Sequence, residues 1–384
     1  MRLLLVSFYF PPDLCAGSFR AIALLRSLKK EIGKDDSITV LTTKPNRYSD
    51  FIKDSSDTEI KENVTIVRIK LPVHKNGFFD QSICFFVFFI KVFLYLINKK
   101  YDLVVATSSR LFTAFLAKLI SKWKDIPLYL DIRDIFFEVF QDLTRRSYMR
   151  LFSPLIKMIE KFTFSNTKKI NLVSRGFHDY FLLNYRNNSL SFHTNGIDGY
   201  FQSYDWCEAE NSRIKVAYAG NIGDGQGLHK ILPELAEVYS NTHDFFVLGN
   251  GGKINDLKSA IKNKKLNNIF LLAATNREAL TQYYNSANIL FLHLNDLPAF
   301  SRVLPSKIFE YAATGKPILA GVSGYAKDFI NQEIKNANVF EPCSIKDAKK
   351  AMNSLEIRMC DRSDFKKKFD REVIMNLLAK DILD

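Results

Sequence analysis

Lys307 and Glu310 stand three residues apart in the stretch RVLPSKIFEYAATGKPILAG, Arg302 to Gly321. Pro305-Ser306 reads as the entry to a helix and Gly315 as its exit, so Ser306, Lys307 and Glu310 fall within about one turn of each other. The other helical positions, Ile308, Phe309, Tyr311, Ala312 and Ala313, are apolar. A carboxylate in such a helix either faces solvent or serves a ligand.

Three further stretches carry residue types able to do chemistry. AGNIGDGQGLHKI, Ala219 to Ile231, spaces its glycines as G-x-x-G-x-G-x-G and contains Asn221 and Gly223. That spacing is off register for the G-x-G-x-x-G dinucleotide fingerprint, but glycines still let backbone N–H groups approach a phosphate at a helix N-terminus. VLGNGG, Val247 to Gly252, holds Gly249 and Asn250 and is a second glycine-rich strand end in the same half. Each loop alone reads equally as a tight turn; two in one domain point to an anion site. In the first half, FPPDLCAGSFR places Gly17 at a helix start and Arg20 one turn into it, as a phosphate fork or as a surface arginine. LDIRDIFFEVF sets Asp131, Arg133, Asp134 and Glu138 at the end of an apolar strand, a charge density that suits a cleft better than a core. A salt-bridged helix cap is the alternative. His293, inside the apolar run NILFLHL, reads as a satisfied core residue.

The elements that must position these residues follow from the apolar pattern. Short β-branched runs alternate with helical stretches: LLLVS, ITVLTT, VTIVRI, DLVVATSS, PLYLDIRD and KKINLVS in the first half, and KVAYAG, DFFVLG, NIFLLA, NILFLHL, KPILAG and ANVFE in the second. That alternation predicts α/β architecture with parallel sheets covered on both faces. The polar stretch Phe192 to Arg213 breaks the rhythm and reads as a linker. The expected organisation is two Rossmann-like doubly wound domains facing across a cleft, over residues 1–195 and 214–363. A linker at 196–213 joins them, and a helix from Asp364 to Leu383 packs back on the first domain. Ligands in such sheets sit outside the carboxyl ends of the strands.

Composition narrows the function classes. At 384 residues and 47% apolar content, the chain is long enough for two real cores and is not disordered. A formal charge of +13 favours polyanionic partners. No RNP, helix-turn-helix or finger pattern accompanies it, which argues against nucleic acid. Five scattered cysteines with no CxxC pair exclude a disulfide framework or a cysteine zinc site and suit a reducing cytosol. HExxH, G-x-S-x-G, P-loop and D-x-D patterns are absent from the sequence. MRLLLVSFYFPP reads as a first strand rather than a signal segment. ICFFVFFIKVFLYLI, Ile83 to Ile97, is too short to span a bilayer. It reads as a buried helix or as one lying in the membrane interface, with Lys91 snorkelling and Lys99-Lys100 at its end. Its density of aromatic residues favours the interface.

Taken together, these stretches resemble a family 4 glycosyltransferase of the GT-B type, the branch of bacterial surface-polysaccharide synthesis. The resemblance runs through VSFYFPPDLCAGSFR, YLDIRDIF, TNGIDGYF and YAGNIGDGQGL, and above all LPSKIFEYAATGKPILAG. It implies a nucleotide-sugar donor held mainly by the second half. Glu310 would take the ribose hydroxyls, with Lys307 and Ser306 by the diphosphate. Asn221 and Gly223 would approach the donor, and Gly249 and Asn250 would lie near the base. Gly17 would meet the donor from the first half, while Arg133 and Asp134 would face the acceptor and the reacting sugar. Relatives often carry E-x7-E; here Arg302 stands in place of the earlier glutamate, as a substitute cation for the phosphates. Asp224 and Gln226 occupy the region of the usual phosphate arginine, and Phe136-Phe137 that of the usual Trp-Pro.

The implied reaction is retaining transfer to a lipid-linked or oligosaccharide acceptor at the cytoplasmic membrane face. UDP is the expected carrier, and neither metal nor cofactor is required. A nucleotide-sugar 2-epimerase of the same fold and a non-catalytic nucleotide-binding subunit stand as alternatives.

Overall fold

The computed structural model describes residues 1–384 except 14, 46–54, 73–77, 109, 145–147 and 274; for residues 78–81 only the backbone is described. Two compact units divide the chain. One comprises Met1–Asn195 and Arg371–Asp384, the other Gly196–Asp370.

The first unit runs β1 (Arg2–Ser7), α1 (Ala16–Glu31), β2 (Ser37–Thr43), β3 (Thr58–Lys61), β4 (Val64–Ile69), α2 (Phe78–Leu96) and β5 (Leu103–Ser108). It continues with α3 (Leu111–Lys124), β6 (Leu128–Ile132), α4 (Phe136–Leu143), α5 (Ser153–Phe164), β7 (Lys169–Leu172), α6 (His178–Asn184) and β8 (Ser189–Ser191). The sheet order is β3-β4-β2-β1-β5-β6-β7-β8. Every pairing is parallel except β3 with β4. Strands β1 and β5 are buried almost throughout, as expected for central strands covered on both faces.

The second unit opens with the short helix α7 (Gly199–Ser203) and continues through β9 (Ile214–Ala219), α8 (Leu228–Val238), β10 (His243–Leu248), α9 (Ile254–Asn263), β11 (Ile269–Leu272) and α10 (Arg277–Ser286). Then come β12 (Ile289–His293), α11 (Lys307–Ala313), β13 (Ile318–Gly321), α12 (Gly324–Glu333), β14 (Ala337–Phe340), α13 (Ile345–Asn353) and α14 (Ser363–Lys368). Its wholly parallel sheet has the order β11-β10-β9-β12-β13-β14. Helix α8 shows why these residues form a helix. Leu228, Ile231, Leu232 and Leu235 recur at helical spacing and are buried against Val216, Phe245 and Val247 of the sheet. Burying each such side chain contributes about 1.5–3 kcal/mol.

Three features differ from the sequence reading. Strands β3 and β8 are additional, and both are short edge strands with half-polar sequences that give no clear alternation. The stretch 196–213 belongs to the second unit, where the Ile197 N–H donates to the Phe369 carbonyl at 2.7 Å. The expected helix from Asp364 to Leu383 is two helices. α14 stays with the second unit, and the last helix, α15 (Arg371–Leu383), packs on α1 of the first. Ile374, Met375, Leu378 and Ile382 form the buried face of α15. Ser27 donates to Asn376 Oδ1 at 2.7 Å, fixing its register on α1.

Candidate functional site

In the second unit, β9 is hydrogen-bonded to β10 on one side and β12 on the other, and the chain winds outward in opposite directions from that point. This is the topological switch of a doubly wound sheet, where a crevice opens at the carboxyl ends of the strands. The glycine loop 220–227 follows β9, and α11 follows β12 after a 3₁₀ turn at Pro298–Arg302. Both stretches singled out in the sequence therefore meet at one point.

The two glycine loops are zipped together by their backbones. Gly220 N–H donates to the Leu248 carbonyl at 2.8 Å, Ile222 N–H to Asn250 at 3.0 Å, and Lys253 N–H back to Ile222 at 2.8 Å. The approach is so close that a Cβ on Gly249 would lie 1.9 Å from the Gly220 carbonyl oxygen; Gly249 also has φ of 139°. The amides of Asn221, Gly223, Asp224 and Gly225 find no partner among the described residues. A turn with unpaired amides at Gly223, Asp224 and Gly225, ahead of α8, is the kind of arrangement that binds anions. The Asn221 side chain is held inside the loop, donating to Gln226 Oε1 at 2.8 Å, and the exposed Asn250 side chain accepts from Gly251 N–H at 2.8 Å.

Helix α11 presents its other face inward. Ile308, Phe309, Tyr311, Ala312 and Ala313 are fully buried, whereas Lys307 and Glu310 are half-buried. Tyr311 sets the register, its hydroxyl accepting from the Ala219 N–H at 3.3 Å at the end of β9. One turn earlier, Lys307 lies against the glycine loop. A Cβ on Gly220 would sit 2.4 Å from Lys307 Cε and 3.2 Å from its Nζ. Neither Lys307 nor Glu310 has an ion-pair or hydrogen-bond partner among the described residues. Ser306 is half-buried at the helix N-cap, and half-buried Arg302 ends the 3₁₀ turn.

His293 is the satisfied core residue expected from the sequence, and its two partners give it a structural role at the glycine loop. It closes β12 almost wholly buried, donating from Nδ1 to the Gln226 carbonyl at 2.6 Å and accepting the Cys343 N–H on Nε2 at 3.0 Å. Burial pushes its pKa down to about 4, although the bond to Gln226 opposes this. The neutral ring thus clamps the glycine loop. Asn295 adds a second clamp, donating to the Asp224 carbonyl at 2.8 Å and accepting Lys230 Nζ at 2.9 Å. The only trace in the sequence is a polar residue ending an apolar strand.

In the first unit the fork expectation for Arg20 is corrected. Its guanidinium is buried and grips Asp131 through two bonds of 2.8 Å, while also donating to the carbonyls of His193 and Thr194. Asn171 adds a 2.7 Å bond to the same carboxylate. Burial alone would raise the Asp131 pKa, but the charge and hydrogen bonds of Arg20 outweigh it and hold the group ionised. Arg20 is thereby committed to holding α1, β6 and the segment after β8 together and is not available to a phosphate. Asp131, read as part of a charged strand end, belongs to this buried network.

Arg133 and Asp134 lie just past β6 and are half-buried. Arg133 Nη1 is 2.8 Å from where a Cβ on Gly17 would stand, so Gly17 admits the arginine to the loop after β1. Its Nε is buried and unpaired. Burial, then the nearby Arg20 charge, lower the Arg133 pKa. Burial raises that of Asp134 to about 6 against the pull of Arg133. Gly17, Arg133 and Asp134 thus gather at one end of the first sheet, and Glu138 follows in α4. No group of three or more metal-ligating side chains occurs among the described residues. No helix of these residues is long and apolar enough to cross a membrane.

Comparison with known proteins bears on the fold and the family. Residues 207–370 match the family model described as glycosyl transferases group 1. The second unit thus carries a glycosyltransferase domain, and the protein is a transferase. No curated protein matches the chain by sequence. Among solved structures, a sucrose-phosphate synthase from Thermosynechococcus elongatus superposes with a TM-score of 0.72 at 12% identity, covering 99% of this chain and 96% of that one. HepE of Anabaena, solved with UDP-glucose, gives 0.71 at 13% identity, covering 100% and 99%. WaaG, a glycosyltransferase involved in lipopolysaccharide biosynthesis, gives 0.65 at 13%, covering 100% and 94%. The fold is that of the GT-B glycosyltransferases.

Proposed function

We propose that this protein moves a sugar, with retention at the anomeric carbon, from a nucleoside-diphosphate sugar to a hydroxyl of a lipid-linked or oligosaccharide acceptor in bacterial surface-polysaccharide synthesis. The observation that carries the reading is α11 at the switch point. An unpaired ammonium is packed on a loop of unpaired amides, with an unpaired carboxylate one turn away. UDP is the proposed carrier. The reading is supported by UDP-glucose in HepE, whose fold this chain shares.

In the reaction the bond from the anomeric carbon to the diphosphate breaks and the bond to the acceptor oxygen forms. The acceptor proton passes to the leaving phosphate. Charge develops on that phosphate, so donors already in place lower the barrier. Lys307 and the amides of Asn221, Gly223, Asp224 and Gly225 fill that role, with Arg302 as the further cation. These cations do the work a metal would otherwise do. Glu310 accepts from the ribose hydroxyls, and Gly249-Asn250 borders the base. Arg133 and Asp134, with Gly17 beside them, act toward acceptor and sugar.

On this reading the acceptor lies at the inner face of the cytoplasmic membrane. Support comes from α2, which buries Cys84, Phe85, Phe88, Val92 and Leu96 and turns Ile83, Phe86, Ile90 and Leu94 outward. Lys91 and Lys99 flank that face, as on helices that lie in a lipid interface. The test is release of UDP from a panel of UDP-sugars with and without a polyprenyl-diphosphate saccharide. Turnover that requires the acceptor supports transfer, whereas interconversion of donor alone would mark an epimerase. Flotation with anionic liposomes, abolished by Phe86→Glu with Leu94→Glu, tests the membrane arm.

A further inference from the structure

At the opposite end of the first sheet from Gly17 and Arg133, an open cleft of about 700 Å³ lies between α3 and α5. Its floor is Pro127-Leu128 at the start of β6, about 15 Å along that strand from Arg133. Its walls carry Lys118 and Lys122 from α3, Lys161 from α5 and Lys168 from the turn into β7. Lys118 is buried and donates to the carbonyls of Ser165 and Asn166 at 2.6 and 2.9 Å. The other three lysines are exposed and have no carboxylate partner among the described residues. Asp125 is the one acidic residue on the wall.

Lysines near the ends of α3 and α5 would ordinarily be read as complements to the helix dipoles, and magnitudes decide how far that reading goes. Four lysines less Asp125 leave +3. Two helix C-termini contribute roughly −0.5 each. About two positive charges therefore stay unbalanced inside one concave site, matching a phosphate group at neutral pH. Lys118 is itself uncomfortable there, since burial and then Lys122 lower its pKa. A bound anion would offset both effects by its charge. The lining also carries apolar side chains: Met158 is exposed, and Phe162 lies under the Lys122 ammonium at 4.9 Å. Charged walls and apolar side chains beside them together describe a site for a phosphate that is soluble or carried on an amphiphile.

We propose that the α3–α5 cleft is a second anion site, binding a phosphate or diphosphate group through Lys122, Lys161 and Lys168, separate from the crevice at β9. The proposal stands independently of the transferase reading. Its test is acetylation footprinting of the full chain by mass spectrometry, which reads each lysine separately and so does not confuse this cleft with Lys307. Millimolar inorganic pyrophosphate is expected to slow modification of Lys122, Lys161 and Lys168 at least fivefold relative to sodium chloride at equal ionic strength. The exposed Lys34 and Lys349 should not change. The variant K122A/K161A, which alters only exposed residues, should lose the protection of Lys168 with an unchanged Tm. Phosphatidylcholine vesicles containing phosphatidic acid form the second arm. Protection by them, and not by phosphatidylcholine alone, assigns the phosphate to lipid, while protection by pyrophosphate only assigns it to a soluble ligand. Equal modification in pyrophosphate and chloride, or equal slowing of Lys34, overturns the proposal.

Discussion

The loops after β1 and after β9 occupy the same place in two sheets of the same winding. Without its edge strands, the first sheet reads β4-β2-β1-β5-β6-β7, and the second reads β11-β10-β9-β12-β13-β14. In both, the first strand of the unit feeds a glycine-bearing loop at the switch point, and a cation lies close by. The first unit closes that cation off: Arg20 is buried, paired with Asp131 and bonded to two carbonyls. The second leaves it open, with Lys307 half-buried on Gly220 and Glu310 beside it. Topology provides the crevice, but whether a cation already has a partner decides between architecture and ligand chemistry.

The comparison breaks most readily at Arg20. Arg20→Met leaves the Asp131 carboxylate buried and uncompensated, which should cost about 3–5 kcal/mol in urea unfolding. Arg20→Met with Asp131→Leu should recover most of that loss. A variant with unchanged stability would show that the pair is not architectural. Lys307→Ala should do the reverse. Unfolding should stay within about 0.5 kcal/mol of wild type, while kcat falls about 10²–10³-fold as one donor to the leaving group is lost.

His293 sharpens the contrast, because its clamp requires a neutral ring. Its folded pKa lies below the unfolded value of 6.5, so its contribution is complete above pH 6.5 and is lost as pH falls toward about 4. On the order of 3 kcal/mol should disappear over that window. Unfolding curves of His293→Asn should be flatter across it than those of wild type. The smallest effect concerns Asp134, whose pKa is raised. Its contribution is complete below about pH 3.8 and is lost as pH rises through about 6. With partial exposure this amounts to about 1 kcal/mol or less, seen as a shallow slope that Asp134→Asn removes.

Much of this was legible in the sequence. The six strands of the second sheet each appear as a short apolar run, most plainly in β12 and β13, which are buried throughout and so have no polar alternation to obscure them. Lys307, Glu310 and the glycine loops were visible for the same reason: charged and glycine residues interrupt otherwise apolar segments. What stayed hidden depends on long-range pairing. Arg20 and Asp131 are 111 residues apart, so their spacing carries no sign that one neutralises the other. The clamp from His293 to Gln226 spans 67 residues. The lysine cleft draws on three segments whose individual charges look like ordinary helix ends.

The central claim is that the crevice at β9 holds a nucleoside diphosphate between the glycine loop and α11. Calorimetric titration of UDP into the full chain and into Glu310→Gln tests it most directly. The variant keeps the shape of the side chain and removes its charge. Affinity in the variant should be at least tenfold weaker at unchanged Tm, consistent with about 1.5–3 kcal/mol for hydrogen bonds to a charged group. Equal affinity in the two proteins would contradict it.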